Sequence, residues 1–591
     1  MPWQFLRRVR EGLLPRSMAW RAARLTANPV RRLIGRLQFE ARYARWLKAH
    51  APTPAHLAEM RAEAEAMADG PLISVITPVY DVDERWLRAC IGSVRSQLYP
   101  RWELCLVDDA SPRPHVARVL AEEARGDSRI RFQRSERNGG IVAASNAALA
   151  MAQGEYVALL DHDDELAPEA LLQVARRIRA DPALDLIYSD EDKLDRSGHR
   201  HGAFFKPDWS PELLLSMNYV SHLGVYRRRL IEDVGRFRPG FEGSQDYDLV
   251  LRVTERSDRI AHVPEVLYHW RQITGSAAAS THAKPYAYEA ARRALQEAVA
   301  RRGEPAEVLQ LKAGRYRVRY AIQGDPTVSV IIPTKDHPQL LAACLASLDR
   351  TCSGRSLEIL VVDNGSTDPD ALRLLEGVAR RHRVIRDPSP FNWSALNNRA
   401  ARVATGDFLL FLNDDVEALV PGWLDALLEQ AQRPGIGAAG AKLLFANGDV
   451  QHAGLVLGLG GPAGHVFTGS PGDQPLYFDL AGVVREVSAV TGACMLVSRV
   501  LFEEVGGFDE RLPVAYNDVD FCLRVLERGK RNVFTGHATL MHRESASRGY
   551  FHRAGDRSEI ERRWGKRLDR DPWFNPNLSR LHPAPLPALG S

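Results

Sequence analysis

The sequence predicts an α/β protein made of two copies of one unit, each built around a mostly parallel sheet. Two observations carry this prediction. The second half of the chain repeats the landmarks of the first half in the same order, and in both halves short apolar runs alternate with helical patterns. With 591 residues, of which 45% are hydrophobic and 26% charged, the chain is ordinary globular material with room for several domains.

The internal repeat is visible as matched stretches of sequence. "LISVITPVYD" from Leu72 pairs with "VSVIIPTKD" from Val328, "WELCLVDDASP" pairs with "LEILVVDNGSTD", and "SNAALAMAQGEYVALLDHDD" pairs with "NNRAARVATGDFLLFLNDD". The matched prolines, acids, asparagines and acid clusters are separated by 252 to 255 residues. We align Asp109 with Asp363 in this repeat. Because the spacing drifts so little, we interpret the two halves as a duplication.

These landmarks divide the chain into four predicted segments. We expect a basic, mainly helical arm over residues 1–70, a first domain over 71–310, a second domain over 325–575 and a Pro-rich tail over 576–591. The "QGDP" turn at residues 323–326 separates the two domains. The tail has the composition of a low-complexity segment, and we expect it to be disordered.

Cysteine usage and hydropathy indicate the cellular compartment. The six cysteines are scattered, form no C-x-x-C pair and lie mostly in apolar runs, which predicts buried thiols rather than disulfides or structural zinc. No stretch approaches the roughly 18 to 20 consecutive apolar residues of a membrane span, and the N-terminus lacks the apolar segment of a signal peptide. We therefore expect a cytoplasmic protein.

The N-terminal arm is strongly basic. Residues 1–50 contain twelve Arg or Lys residues against Glu11 and Glu40, whereas the whole chain has a net charge of only +4. Apolar side chains alternate with Arg at near-helical spacing, so the arm can lie on an anionic membrane face, as a peripheral contact at the inner side of the cytoplasmic membrane. The alternative is an Arg-rich helix that packs on its own protein, and the sequence leaves both open. We do not expect a nucleic acid partner, because no binding motif follows the arm.

Acid clusters follow the fourth apolar run of each half. Asp161 and Asp163 come two residues apart after "YVALL", and Asp415 ends the matching "LFLNDD". Ligands of open α/β sheets bind beyond the carboxyl ends of the strands, where such acids converge. A partly open site made of oxygen ligands suits Mg²⁺ or Mn²⁺ shared with substrate phosphates. The structural alternative is an acid cluster that caps the following helix.

Motifs along both halves resemble family 2 glycosyltransferases of the GT-A fold. The resemblance rests on "TPVYD", "VDDAS", "GEYVALLDHDD" and "GSQDYDLVLR", repeated in the second half up to "YNDVDFCLRV". Further stretches, such as "YSDEDK" and "FKPDWSPELL", are similar to the tandem two-domain enzymes of bacterial surface polysaccharide assembly. The resemblance implies two tandem GT-A domains, which are Rossmann-like nucleotide-diphospho-sugar transferase units, behind the helical arm.

The resemblance also implies a nucleotide-sugar site in each half. Its predicted members in the first half are Asp81, Asp109, Asn146 and Asp161, with Asp163 on the metal. In the second half they are Asp336, Asp363, Asn398, Asn413 and Asp414, with Asp415 on the metal. Asn413 departs from the Asp-x-Asp motif of the family, because an amide stands where the first acid is expected.

An inverting sugar transfer needs one more carboxylate, a base that takes the proton from the attacking hydroxyl. By resemblance this base is Asp246 in "GSQDYD" and Asp518 in "YNDVD". Acids that merely stabilise a helix N-terminus are the alternative reading. His269 and His542 follow these acids by 23 and 24 residues, and we predict that they bind the metal or the diphosphate, although an isolated histidine is often structural.

The sequence thus predicts a metal-dependent, inverting hexosyl- or deoxyhexosyltransferase that uses Mn²⁺ or Mg²⁺. The expected donor is a UDP-, dTDP- or GDP-sugar, and the expected acceptor is a glycan or polyprenyl-linked oligosaccharide on its way to O-antigen, lipopolysaccharide or another surface polysaccharide. Two domains predict two linkages per chain. One alternative is a catalytic domain joined to a non-catalytic glycan- or nucleotide-binding domain, and another is a sugar nucleotidyltransferase.

Overall fold

Two large sheets with the same strand order dominate the fold. The computed structural model describes residues 16–272, 285–543 and 554–589, with the side chains of the first helix described from Val30 onward. Residues 1–15 of the predicted arm lie outside the described part of the chain. The predicted α/β class with a helical N-terminal region is confirmed.

The first sheet contains nine strands in the order β3-β2-β1-β4-β8-β6-β9-β5, with β7 paired to β6. These strands are β1 Ile73–Val79, β2 Trp102–Asp108, β3 Ile130–Arg134, β4 Tyr156–Leu159, β5 Glu165–Leu166, β6 Leu186–Leu194, β7 Arg200–Phe204, β8 Gly224–Arg227 and β9 Ile260–Arg271. Strands β1 to β4 are parallel to one another, and β2 is buried on both faces, as a continuous apolar run predicts. Strand β8 pairs antiparallel with both β4 and β6, so the sheet is mixed and the prediction of a mostly parallel sheet is wrong.

A hairpin of β10 Ala306–Lys312 and β11 Arg315–Tyr320 leads to the second sheet. That sheet runs in the order β14-β13-β12-β15-β22-β17-β23-β16. In addition, β18 pairs with β17, and β21 pairs with β23. Its strands are β12 Val328–Thr334, β13 Leu357–Asp363, β14 Arg383–Arg386, β15 Phe408–Leu412, β16 Val416–Ala418, β17 Ile436–Leu444, β18 Val450–His452, β21 Val484–Glu486, β22 Cys494–Ser498 and β23 Arg531–His542, while β19 Leu455–Leu457 and β20 Ala463–His465 form a separate hairpin.

Strand register corrects one pairing of the repeat. Val79 lies beside Asp108 in the first sheet, and Thr334 lies beside Asp363 in the second. Asp363 therefore corresponds to Asp108, and the predicted alignment of Asp363 with Asp109 is wrong by one residue. Asn364 takes the place of Asp109. The error arose because two adjacent aspartates in the first half offer two matches to the single aspartate in the second.

Helices connect the strands and cover both sheets. Their bounds are Arg16–His50, Pro54–Ala66, Glu84–Arg95, Pro114–Gly126, Gly140–Met151, Ala170–Ala180, Pro211–Ser216, Arg228–Asp233, Gln245–Thr254, Pro285–Arg301, Pro338–Thr351, Pro369–Val378, Trp393–Ala401, Trp423–Ala431, Arg499–Val505, Asn517–Glu527 and Ala554–Trp564, followed by a 3-10 turn at Gly565–Asp569. Local sequence sets several starts. Asp368, for example, caps the helix that follows it by accepting hydrogen bonds from the N–H groups of Asp370 and Ala371.

The two halves meet through a buried polar interface. Arg531 contacts Glu212 of the first half at 3.1 Å and Glu486 of the second at 2.9 Å, and Arg433 contacts Glu212 at 2.6 Å. Both glutamates are buried. Each of these charges has an opposite partner, which offsets the cost of burying it.

The helix Arg16–His50 joins the arm to both halves. Tyr43 donates to Asp192 at 2.6 Å, and Arg31 donates to Asp449 at 2.9 Å. Four apolar side chains of the same helix, Val30, Leu33, Ile34 and Leu37, are 49 to 59% exposed. Among the residues that the structure describes, no helix combines the length and apolar character needed to cross a bilayer.

The Pro-rich tail is ordered up to residue 589, so the prediction that it is disordered is wrong. Just before it, Asn575 donates to Asp190 at 2.9 Å and to the carbonyl of Lys206 at 2.8 Å. Within the tail, Leu578 and Leu586 are buried, and Asn577 donates to the carbonyl of Pro264. Composition pointed to disorder because proline lowers helix and strand propensity, but these contacts with other parts of the fold hold the segment in place.

Candidate functional site

The acid cluster of the first half lies just beyond β4. One ligand atom each of Asp161, Asp164 and His222 lies within 4.8 Å of the others. Asp164 is fully buried and accepts hydrogen bonds from the Tyr268 hydroxyl at 2.6 Å and the Arg271 N–H at 2.7 Å. Two carboxylates and an imidazole are thereby brought together at the end of a parallel strand.

This cluster carries unfavourable charge in its ionised form. Burial raises the pKa of Asp164 well above its usual range, and the neighbouring Asp163 and Asp161 raise it further. Burial also raises the pKa of Asp163. His222 responds in the opposite sense: burial alone would lower its pKa, but its hydrogen bond and charge interaction with Glu191 raise it to about 9. A cation at this position would relieve the repulsion among the acids.

His269 is not one of the three clustered residues, and its predicted role in binding the metal or the diphosphate stays a prediction. Its Nδ1 lies 2.6 Å from Asp192 on β6. Strand pairing shows that His269 and His542 are not equivalent positions: Glu165 pairs with His269, whereas the corresponding Glu417 pairs with Met541. His542 therefore corresponds to Trp270, one residue after His269.

The histidine that does reach the cluster, His222, was missed by the sequence analysis. The residue that corresponds to it in the second half is Ala493, because Val225 and Leu496 occupy equivalent positions opposite β4 and β15. A search based on the repeat has no signal for a residue that only one half contains. Its position follows from the chain turn before β8, which the sequence did not specify.

The predicted nucleoside-binding acids follow β1 and β2. Asp81 has a φ of 45°, a left-handed conformation, and its carboxylate pairs with Arg113 at 2.5 Å. Asp109 is buried and accepts hydrogen bonds from the N–H groups of Gly139 at 2.9 Å and Gly140 at 2.8 Å. Asp109 thus fixes the start of the helix Gly140–Met151.

Asn146 and Asn398 occupy equivalent positions but hold the fold rather than face the cluster. The Asn146 amide donates to the carbonyl of Phe237 at 2.8 Å and accepts from its N–H at 3.1 Å. Asn398 makes the same pair of bonds to Phe508, at 2.8 and 2.9 Å. The prediction that these amides bind the nucleotide is not supported, because both the oxygen and the nitrogen are engaged by the main chain.

Asp246 lies in a cavity of about 790 Å³ that Asp161 and His222 also line. Burial raises the pKa of Asp246, and Asn218 donates a hydrogen bond to its carboxylate at 2.8 Å. The carboxylate stands at the first turn of the helix Gln245–Thr254. A half-buried carboxylate with a raised pKa that opens on a cavity has the properties of a general base.

The second half reproduces part of this arrangement. His542 Nε2 lies 3.1 Å from the Asp415 carboxylate; burial alone would raise the pKa of Asp415, but this hydrogen bond lowers it. Asp414 accepts from the Thr334 hydroxyl at 2.7 Å. Asp415 and His542 thus meet as predicted residues of one cluster, while Asp414 lies against β12.

The predicted nucleoside acids of the second half are bound to neighbouring main chain. Asp336, with a φ of 55°, accepts from the N–H groups of Thr367 at 2.7 Å and Asp368 at 2.8 Å. Asp363 accepts from the N–H of Ser366 at 2.8 Å and pairs with Arg386 at 3.1 Å. The first half shows the same pattern at Asp108, which supports the corrected alignment.

Trp393 distinguishes the second site from the first. It occupies the position of Ile141, which lines the open cavity of the first half. The Trp393 indole is buried, donates to Asn413 at 3.3 Å and packs so closely on Gly492 that a Cβ there would lie 2.7 Å from the ring. Gly492 in turn donates to Asp518 at 3.0 Å. In the second half, an aromatic ring therefore fills space next to the predicted base.

A hard divalent cation fits the cluster of the first half. Asp161 and His222 border the cavity, and Asp164 is oriented by Tyr268 and Arg271. Carboxylate ligands with an open side suit Mg²⁺ or Mn²⁺ bound together with a phosphate-bearing ligand. Asp163 and His269 lie outside this set of three, and their role as ligands stays a prediction.

Residues 74–235 and 329–506 both match the family model for Glycosyl transferase family 2. The chain is 47% identical over 562 residues to an uncharacterized protein, y4gI, of Sinorhizobium fredii, covering 92% of this chain and 61% of that protein. It is 45% identical over 513 residues to the O-antigen biosynthesis protein RfbC of Myxococcus xanthus, covering 86% of this chain and 40% of that protein. The chain thus spans less than two thirds of the length of either relative.

Solved structures similar to this chain include Staphylococcus aureus TarS 1-349 in complex with UDP. That match has 23% sequence identity and a TM-score of 0.32, and covers 39% of this chain and 65% of that one. The same fragment in complex with UDP-GlcNAc matches at 22% identity with a TM-score of 0.33, covering 39% and 66%.

Proposed function

The chain belongs to glycosyl transferase family 2, with two tandem segments of that family, and on this premise we propose that its first half is an inverting sugar transferase. The observation that carries the proposal is the cavity shared by Asp246, Asp161 and His222. It brings a candidate base and a candidate cation site to one volume large enough for a nucleotide sugar. Family membership also argues against the sugar nucleotidyltransferase alternative.

Asp246 is the base of the proposed reaction. It takes the proton from an acceptor hydroxyl while that oxygen attacks the anomeric carbon and the nucleoside diphosphate leaves from the opposite face. Asn218 orients the Asp246 carboxylate, and burial keeps its proton affinity above that of an ordinary aspartate. One displacement at the anomeric carbon inverts its configuration without a covalent intermediate.

The diphosphate end of the donor is assigned to the acid cluster. Asp161, Asp164 and His222 would hold Mn²⁺ or Mg²⁺, which when bound offsets the charge of the leaving diphosphate. Asp81 and Asp109 are assigned to the nucleoside of a UDP-, dTDP- or GDP-sugar. The transferred group is a hexose or deoxyhexose in this proposal.

The proposed acceptor is a lipid-linked glycan on its way to a surface polysaccharide. Similarity to the O-antigen biosynthesis protein RfbC supports this class of product. The exposed stripe of Val30, Leu33, Ile34 and Leu37 supports a peripheral contact with the inner face of the cytoplasmic membrane, where such an acceptor resides. The stripe has helical i, i+3, i+4, i+7 spacing and lies beside the exposed Arg32 and Arg36.

The test replaces the two candidate bases separately. Release of nucleoside diphosphate is measured for a panel of UDP-, dTDP- and GDP-sugars, with lipid-linked glycan extracted from bacterial membranes as acceptor. Asp246→Asn should slow release by about 10² to 10⁴-fold, the usual effect of losing a general base. Unchanged release in Asp246→Asn would show that this residue is not the base.

A second candidate function concerns the second half, which we assign as a non-catalytic glycan-binding module. The Trp393 indole, in contact with Asn413 and Gly492, is the observation that favours it. In this reading Asp518→Asn leaves transfer by the first half unchanged, and the chain forms one linkage. Loss of a second, distinct linkage in Asp518→Asn would instead establish two transferases.

A further inference from the structure

The cavity of the first half has a wall that does not come from the first sheet or its helices. Phe478, which belongs to the second half, and Gly314 and Arg315, which belong to the connecting hairpin, line the same cavity as Asp246. Phe478 lies in the stretch that makes the second half longer: 103 residues separate Asp415 from Asp518, against 83 between Asp163 and Asp246. The extra length therefore reaches across to the other half's site.

The segment Tyr477–Asp479 is held in a strained conformation at this wall. Its three residues have φ values of 37°, 55° and 69°, and none of them is glycine. Such backbone costs energy at each residue and is kept where surrounding contacts impose it, often at ligand clamps. Three residues in succession indicate that the segment's position is under strong constraint.

Contacts to other parts of the chain supply that constraint. The Tyr477 hydroxyl bonds to the N–H and carbonyl of Phe205, at 3.0 and 3.1 Å. The Phe478 ring stacks on Phe204, with 3.9 Å between centroids and 16° between planes. Asp479 pairs with Lys312 of the hairpin at 2.5 Å. Each residue of the segment is thus anchored to the first half or to the hairpin.

Arg315 is a largely buried cation in this wall. It donates to the carbonyls of Gly314 and Phe478, both at 2.8 Å, and its Nε is buried without a hydrogen-bond partner. Within the described parts of the chain no salt bridge of Arg315 is found; Asp479, which interacts electrostatically with it, is paired with Lys312. A buried charge with neutral partners only is costly unless a ligand brings the opposite charge.

Arg315 lines the same cavity as Asp246, on the wall formed by the connecting hairpin. The ring of Tyr316 lies 6.5 Å from the ring of Tyr247, the residue after Asp246. Lys193, another cation in the wall, pairs in register with Trp270 and lies 5.4 Å from that ring, beside the acid cluster. Since the proposed function assigns the donor phosphates to the acid cluster, Arg315 is left for the acceptor.

We propose that Tyr477–Asp479 and Arg315 complete an acceptor subsite of the first half, in which Phe478 packs against a sugar ring and Arg315 binds an anionic group on the acceptor glycan. The anionic group is a carboxylate or a phosphate. This subsite deepens the proposed function and rests on it for the assignment of Asp246 as base. The second half thereby contributes to transfer by the first half without catalysing a step.

Calorimetry on the full chain tests the subsite, in the presence of UDP and Mn²⁺. The probes are tetragalacturonate, a 6-phosphorylated mannose tetrasaccharide and neutral maltotetraose. At least one acidic probe should bind about tenfold or more tightly than maltotetraose, as one charge-assisted contact predicts, and the two acidic probes distinguish carboxylate from phosphate. Equal binding of all three, or binding of neither acidic probe, would overturn the proposal.

Single substitutions test whether Arg315 and Phe478 are the residues that bind the probes. Arg315→Gln should abolish the preference for the acidic probe, and Arg315→Lys should restore part of it. Arg319→Gln is the matched control, because Arg319 lies on the same hairpin strand but is exposed and pairs with Glu307. Phe478→Ala should weaken neutral and acidic probes alike. A preference that survives in Arg315→Gln would contradict the assignment.

UDP affinity separates this proposal from the proposed function. UDP should bind all four variants as it binds the wild type, since none of the changed residues belongs to the acid cluster. If UDP fails to bind even the wild type, the donor site is wrong, whereas the acidic preference of Arg315 is judged independently from the saccharide titrations. Melting temperatures within a few degrees of wild type exclude unfolding as the cause of lost binding.

Discussion

Trp393 donates its indole N–H to Asn413 at 3.3 Å, and this puts an aromatic ring in the second half at the position where Ile141 lines the cavity of the first. The corresponding residues of the first half are Ile141 and Asp161. The pair differs in both members, so a larger ring and a neutral amide replace a smaller side chain and a carboxylate. The two halves share a fold and differ in the side chains at these two positions of the site.

Substitutions that exchange Ile141 and Trp393 should exchange the capacity of the two halves to bind UDP. UDP with Mn²⁺ should bind the wild type at about one site per chain, and Ile141→Trp should weaken that binding by tenfold or more because the indole fills the cavity. Trp393→Ile, the reciprocal change, should raise the stoichiometry toward two. Calorimetry gives both numbers, and two sites in the wild type would contradict the assignment of Trp393 as an obstruction.

The acid limb of the rate profile should report Asp246. A base must be deprotonated, and burial raises the pKa of this carboxyl, so activity should fall on acidification at a pH above the ordinary aspartate range of about 4. Asn218→Ala removes a donor that stabilises the charged form and should move the limb to still higher pH. Measurement of kcat/KM from pH 4 to 8 checks both; a limb that Asn218→Ala leaves in place argues against Asp246.

The cation site should depend on His222 and not on His269. His222→Gln should weaken Mn²⁺ binding by tenfold or more, while His269→Gln, whose ring bonds to Asp192, should have a much smaller effect. Because the pKa of His222 is about 9, Mn²⁺ must displace a proton, and its affinity should fall as the pH is lowered. Mn²⁺ titrations monitored by electron paramagnetic resonance give the affinities. A larger loss of Mn²⁺ affinity in His269→Gln than in His222→Gln would favour His269 as the metal ligand instead.

Membrane association should depend on the exposed stripe. Leu33→Glu together with Ile34→Glu should abolish sedimentation with phosphatidylglycerol vesicles, because both side chains are about half exposed or more and acids are repelled by anionic lipid. Leu311→Glu is the control, since Leu311 is equally exposed on the hairpin. Neutral phosphatidylcholine vesicles should bind the wild type weakly. Equal sedimentation of all variants would leave the helix as an internal packing element.

Acid should destabilise the second half through a buried histidine pair. His452 accepts from the Gly454 N–H through Nε2, so its Nδ1 donates to Nδ1 of His465 at 2.8 Å. Burial lowers the pKa of His465 to about 4, so the unfolded chain takes up a proton below pH 6.5 that the folded chain does not.

Stability attributed to His465 is therefore intact above pH 6.5 and declines as the pH falls toward 4, by up to about 3 kcal/mol. Melting temperatures of wild type and His465→Asn between pH 7 and 4.5 should converge on acidification. The exposed His56→Asn serves as control. A constant difference between wild type and His465→Asn would exclude the histidine pair as the cause.

Much of the fold was readable from the sequence because it depends on local patterns. Continuous apolar runs predicted the buried parallel strands, and their repetition predicted two sheets with one strand order. The residue-by-residue alignment of the two halves could not be read from the sequence at every position. Asp108 and Asp109 are adjacent, and only hydrogen bonding between strands decides which of them matches Asp363.

Sequence alone determined the family, the strand-end location of the acid clusters and the candidate bases, since each follows from residues close together in the chain or repeated at a fixed offset. Tertiary structure decided the rest. It brought His222 rather than His269 to Asp161, placed Trp393 over the second site and carried Phe478 into the cavity of the other half. These contacts join residues distant in the chain, and their geometry depends on how turns and packed elements meet rather than on any local pattern.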